Sequence, residues 1–183
     1  FDLDGTFLDT SDDLAAAVNV ALAEAGRPLL TVEQVKPMIG GGAKHMLAQG
    51  MAATGGCSDE ELHRLYKLLL GYYEANISVY SHPFPGALAA LDALDARGVQ
   101  VAIRHRVVRL GGGRAAFVGD SIYDIGAARA AGIPSIAVSF GFLMQPIAEL
   151  GADAVIDAYD ELIPTLATLC ATGAGSTSAA ASG

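Results

Sequence analysis

Four aspartates in this sequence could do chemistry, and they come in two pairs. Asp2 and Asp4 flank a single leucine in "FDLDGT", and Asp120 and Asp124 sit four residues apart in "FVGDSIYD". If those two segments are neighbouring strand ends, their carboxylates converge. Two like charges about 5 Å apart repel by roughly 3 kcal/mol at an effective dielectric near 20. Such a cluster asks for a proton or a cation. Its donors are all oxygen and no histidine is close in sequence, which favours a hard ion, Mg2+ above Zn2+. A carboxylate beside such an ion can also be a nucleophile that forms an aspartyl-phosphate. A second acid two residues on could protonate the leaving oxygen and later activate water. Gly5 allows a tight turn, and the turn's backbone N–H groups with the Thr6 hydroxyl can hold phosphate oxygens.

These groups need elements to hold them. Leu14, Val18 and Leu22 recur at helical spacing behind Asp9-Thr10-Ser11, and Gly26 with Pro28 ends that helix. Thr31 and Gln34 form a capping box for a short helix to about Met38, and Ser58 with Glu61 repeats the signature. Between them Gly40-Gly41-Gly42 breaks the chain, and residues 43–53 read as a helix. Leu62, Leu65, Leu69 and Tyr73 make the apolar stripe of the helix after Ser58. The stretch 12–81 is therefore predicted to be all helical. From "SHPFPG" onward the pattern changes to alternation. Strands are predicted over 99–103, 115–118, 135–138 and 154–156, and helices around 88–94, 122–131, 146–150 and 162–169. Strands alternating with helices mean a parallel sheet covered on both faces. The expected organisation is an α/β core of 1–11 and 82–172, a helical module of 12–81 inserted into it, and a disordered tail of small residues, 173–183. Ligands in such sheets bind outside the carboxyl ends of the strands, where both acidic segments fall.

Composition narrows the partners. The chain of 183 residues is 52% hydrophobic and carries 11 basic against 20 acidic residues, a formal charge of −9. That field repels nucleic acid and anionic membrane, but not a small anion met by a local cation. Cys57 and Cys170 have no CxxC spacing and read as two reduced thiols. No run is apolar enough to span a bilayer and no signal peptide is evident, so a cytoplasmic protein is expected. The histidines at 45, 63, 82 and 105 lack metal-ligand spacing, and Gly40–Gly42 does not meet the P-loop pattern. Asp124 alone would also suit the first turn of a helix.

"FDLDGT" resembles the nucleophile motif of the haloacid dehalogenase superfamily, and "FVGDSIYDIGAARAAG" resembles its acidic metal motif. "PFPGALAALDAL" is similar to the return from a helical cap, and "PMIGGGAKHML" to the cap of the phosphoglycolate phosphatase branch. The resemblance implies a Rossmann-like core with an inserted α-helical cap. It implies Asp2 as nucleophile and Mg2+ ligand, and Asp4 as general acid/base and ligand through its backbone carbonyl. Asp120 would ligate the metal and Asp124 would ligate or support it. Gly5 and Thr6 would contact the phosphoryl group, and Lys44 could meet substrate from the cap. The implied activity is Mg2+-dependent hydrolysis of a small phosphate monoester, 2-phosphoglycolate first, by a monomer or homodimer. The alternatives are another capped phosphatase or mutase acting on a sugar phosphate or pyrophosphate, or an impaired binding protein.

One stretch departs from the family. Two more motifs belong between the strand at 99–103 and Asp120, one a Ser or Thr and the other a Lys. Here the sequence runs "VQVAIRHRVVRLGGGRAAFV", with none of the three. A parallel crossover takes a dozen residues or more, and a complete βαβ unit about thirty. The expectation is that residues are missing between Ile103 and Phe117, as the first strand is missing ahead of Asp2.

Overall fold

The structure, a computed structural model, describes residues 1–103 and 115–172. Its helical half is built by the predicted signals. Helix α1, Ser11–Glu24, buries Val18, Ala21 and Leu22, the side of the helix that the leucine spacing marks. Its start is fixed by Asp9, whose Oδ1 accepts from Ser11 N at 3.0 Å and from Ser11 Oγ. Helix α2, Val32–Val35, carries both halves of the Thr31–Gln34 capping box and runs into a 3-10 turn, Lys36–Met38. Helix α3, Ala43–Ala53, follows the glycine run, and α4, Asp59–Ala75, starts where Ser58 Oγ accepts from Glu61 N. The buried faces of α1, α3 and α4 close one apolar cluster around Leu22, Leu47, Met51, Leu65 and Leu69. Each such side chain contributes about 1.5–3 kcal/mol by leaving water, which holds four short helices together that would not stand alone.

The chain leaves and re-enters the sheet layer through a two-stranded antiparallel ribbon that the sequence did not announce. Strand β1, Leu8–Asp9, pairs with β2, His82–Pro83, in the register Leu8↔Pro83 and Asp9↔His82. Pro83 suits such a short edge. Beside the ribbon, the Asp13 carboxylate on α1 collects the backbone N–H groups of Val79, Tyr80 and Ser81 and the Ser81 hydroxyl. Burial alone would push this carboxyl up, but those four donors outweigh it and hold it below the usual range.

Helix α5, Ala87–Asp95, leads to the sheet layer. Strands β3, Phe117–Gly119, β4, Ser135–Val138, and β5, Ala154–Ile156, lie parallel in that order, with α6, Ile122–Ala131, as the β3–β4 crossover. Helix α7, Leu162–Thr172, packs on α5 over the second cluster, which includes Ile136, Val138, Ile156 and Leu162. Two expectations are corrected. Residues 99–103 form no strand; the Ala102 carbonyl instead accepts from Phe1 N at 2.8 Å, while Asp2 N donates to Val118 O at 2.9 Å. The opening residues thus lie between Ala102 and β3. Residues 146–150 form only a 3-10 turn, Ile147–Glu149. The RHRVVRLGGGR stretch, residues 104–114, and the tail 173–183 lie outside the described residues.

Candidate active site

Asp2 and Asp120 meet because the opening residues run alongside β3, which ends one residue before Asp120. Asp124 joins them from the first turn of α6. Asp2, Asp120 and Asp124 each bring a carboxylate oxygen to within 4.8 Å of the others. Asp4, on the same turn as Asp2, lines the same cavity, of about 330 Å³. Tyr123 and Ser121 complete this side. Leu14, Ile39, Met46 and Tyr73 face it from the helical module, along with the backbone at Gly40 and Gly42.

Asp120 is 4% exposed and held from two directions. Its Oδ2 accepts from Phe142 N at 2.6 Å, and its Oδ1 accepts from Thr6 Oγ1 at 3.4 Å. Burial pushes its carboxyl up to about 8; the Phe142 N–H opposes this, and the charges of Asp124 and Asp2 add to it. Burial first, and the two neighbouring carboxylates after it, keep a proton on Asp120 at neutral pH, a place where a cation could stand instead. Three oxygen donors so placed fit a hard divalent cation. Asp124 answers both readings of its position. Its Oδ2 accepts from Ser121 N at 3.0 Å and Ser121 Oγ at 2.6 Å, and Ser121 Oγ accepts from Asp124 N in return, a capping box. The cap fixes the rotamer and the same carboxyl joins the acid cluster.

Gly5 has φ +76°, and a Cβ there would collide with Asp120 Oδ2, so the acid turn needs glycine twice over. Thr6 is fully buried, with its hydroxyl toward Asp120 and its carbonyl accepting from Tyr159 OH at 2.8 Å. Neither Gly5 nor Thr6 is among the residues that line the cavity. Lys44 is exposed and does not line it either; Gly42, Ala43 and Met46 do. No lysine, arginine or histidine lines the cavity among the described residues. Sequence reasoning missed Phe142, Tyr73, Tyr123 and Tyr159. Phe142 acts through a backbone N–H, which leaves no signature in residue type.

Fold and site define a class: an α/β protein with a helical cap seated over converging aspartates. The haloacid dehalogenase-like hydrolase family model matches residues 1–105. The chain is 32% identical to the phosphoglycolate phosphatase of Caulobacter vibrioides over 213 positions, covering 92% of this chain and 90% of that protein. It is 31% identical to the phosphoglycolate phosphatase of Agrobacterium fabrum, covering 91% and 90%. Its fold superposes with a TM-score of 0.77 on a candidate phosphoglycolate phosphatase from Lactobacillus delbrueckii subsp. bulgaricus, at 24% identity and covering 91% and 96% of the two chains. The chain belongs to the haloacid dehalogenase-like hydrolase family. Within it, the chain is a hydrolase of the phosphoric monoester type.

Proposed function

We propose that the chain is a Mg2+-dependent phosphatase for a small organic phosphate monoester, with 2-phosphoglycolate the first candidate. The observation that carries this is the convergence of Asp2, Asp120 and Asp124 on the floor of the cavity. The volume of about 330 Å³ is at the small end of ligand pockets, which suits a metabolite of few atoms. The relatives' activity supports the substrate.

Mg2+ held by Asp2, Asp120 and Asp124 would offset their charge and that of the phosphoryl oxygens. Asp2 attacks phosphorus with its free carboxylate oxygen, and the bond from phosphorus to the ester oxygen breaks. Asp4 gives its proton to that leaving oxygen. The aspartyl-phosphate on Asp2 is then cleaved by water, whose proton returns to Asp4, and inorganic phosphate leaves. Ser121 holds Asp124 in its rotamer, and Gly5 lets the acid turn approach Asp120. In this reading residues 12–81 act as the cap on a core of 1–11 and 82–172, supported by the two separate apolar clusters and the ribbon at their joint. No helix among the described residues is long and apolar enough to cross a membrane. The charge of −9 supports action on free metabolites and not on nucleic acid, and our reading is of a cytoplasmic monomer or homodimer.

The test is phosphate release over a panel of phosphorylated metabolites, with and without EDTA. Release undiminished by chelation would overturn the metal, and a strong preference for a hexose phosphate would overturn the substrate.

A second reading, tight binding with slow turnover, has its own support. No Ser, Thr or Lys occurs between Val99 and Val118, and the family match stops at residue 105. The alignments with relatives run over 210 to 219 positions, more than the 183 residues of this chain. Each lost electrostatic stabiliser commonly costs about a hundred- to a thousand-fold in rate. A single-turnover measurement separates the readings: binding without phosphate release favours the second.

A further inference from the structure

Phe142 belongs to both sides of the cavity at once. It follows β4 in the sheet layer, yet its side chain, 3% exposed, packs in the cap's apolar cluster with Ile39 and Met46. Its backbone N–H meanwhile donates to Asp120 Oδ2 at 2.6 Å. The ring also presses on the acid turn: a Cβ built on Gly5 would stand 2.7 Å from Phe142 Cδ2. Its neighbours tighten the arrangement. A Cβ on Gly141 would collide with Asp120 Cβ and with the Gly5 carbonyl. Two residues further on, Met144 reaches the cap, with its Sδ 2.8 Å from where a Cβ on Gly40 would be. The loop from Gly141 to Met144 therefore touches the cap at two points and the acid centre at two points.

We propose that Phe142 is a positioning residue that couples the seating of the cap to the geometry of the cation site. This rests on the reading of Asp2, Asp120 and Asp124 as that site. The Asp120 carboxylate has two orienting partners, and the shorter bond comes from a residue whose own position is set by the cap. When the cap is seated, the ring is held among apolar side chains and the amide fixes one Asp120 oxygen, while Thr6 Oγ1 donates to the other. When the cap lifts, the ring loses its packing and the amide loses its fixed position. Coupling of this kind is reciprocal: a cation bound at the acids favours the seated cap, and a ligand that draws the cap down tightens the cation.

The test measures Mg2+ affinity by calorimetry on the full chain without substrate, alongside kcat, KM and melting temperature. Phe142→Ala keeps the N–H and removes the ring. It should weaken Mg2+ about 10- to 100-fold, the usual cost of losing a group that orients a metal ligand. Phe142→Leu should recover most of that affinity. Met46→Ala loosens the seat from the cap side and should weaken Mg2+ in the same direction, and the double variant should lose less than the two losses combined. A purely structural role would lower the melting temperature and leave Mg2+ affinity per folded molecule at the wild-type value, and that result overturns the proposal. Fully additive losses overturn it too. If Phe142→Ala does not fold, Met46→Ala decides: weakened Mg2+ supports the coupling and unchanged Mg2+ overturns it. Wild-type protein that neither binds Mg2+ nor releases phosphate would instead sink the underlying phosphatase reading, and the coupling with it.

Discussion

The floor of the cavity is made of carboxyl groups and most of its roof of apolar side chains. Four aspartates from two turns form the floor. Leu14, Ile39, Met46 and Tyr73 form the roof, with bare backbone at Gly40 and Gly42. A buried carboxylate is costly unless a proton, a donor or a cation meets it, and the two buried floor residues, Asp120 and Asp124, each sit in a hydrogen-bond network. A buried leucine or methionine needs no partner, and its neighbours can be exchanged at modest cost. The difference teaches where each property is encoded. On the proposed reading the floor would carry the reaction type, and the choice among phosphate esters would fall to the roof, through its size, its shape and the few polar groups at Tyr73, Gly40 and Gly42.

The largest effects should come from the floor. Asp2→Asn should abolish both phosphoenzyme and turnover, because an amide cannot attack phosphorus and is a poorer cation ligand; acid-quench labelling checks it. Asp4→Asn should retain Mg2+ binding but lower turnover by roughly a hundred- to ten-thousand-fold. With a very good leaving group it should show a burst and then a stall, seen in stopped flow. Retained turnover in Asp2→Asn would break the division between floor and roof outright.

Asp13→Ala tests the joint between them. It leaves three backbone N–H groups of Val79, Tyr80 and Ser81 without their acceptor, and should cost about 2–4 kcal/mol in urea unfolding. Activity per folded molecule should change by only a small factor, since Asp13 does not line the cavity and reaches it only through its charge near Tyr73.

The next effect depends on pH. Asp120 titrates near 8 when folded, against roughly 3.9 unfolded. Between those values the folded state holds the extra proton, so the metal-free protein should lose stability as pH rises from about 4 to 8. Asp9, Asp13 and Asp153 lie below their ordinary values, so their contribution is present above about pH 4 and lost as pH falls through their folded values. Mg2+ at a hundred times its Kd should add about 2.7 kcal/mol, or about 5–10 °C in Tm, and flatten the slope between about pH 4 and 8. Scanning calorimetry over pH with and without Mg2+ reads both.

The smallest effect belongs to the roof. Ile39→Val removes one methylene and should raise KM a few-fold with kcat nearly unchanged, about 1 kcal/mol of binding. A large fall in kcat from this change would show that the roof takes part in the chemistry.

What the sequence revealed follows the same division. The acids were legible because "DLDGT" and "GDSIYD" combine residue types with strand-to-helix turns, and the helices because capping residues and leucine spacing act locally. The Thr31–Gln34 box forms as spaced. The unread parts depend on tertiary contact. A backbone N–H such as that of Phe142 belongs to every residue type, and the Tyr159 hydroxyl finds Thr6 across 153 positions of chain. The two-residue strands at Leu8 and His82 are too short for a period-2 pattern. Residues 99–103 had a strand's composition, and one hydrogen bond, from Phe1 N to Ala102 O, is what the structure shows there.

The pairing of Leu8 with Pro83 and of Asp9 with His82 has a wider consequence. Residues facing each other across such a ribbon stand only about 5 Å apart. To the sheet layer, the whole helical module is therefore the loop of one hairpin, about seventy residues long where a turn of two to five would serve. Closing a loop costs little more as it grows, about 0.6 kcal/mol per doubling. The length of the insert thus costs the sheet little, and what the sheet does depend on is the packing that the insert offers Phe142, whose N–H holds Asp120.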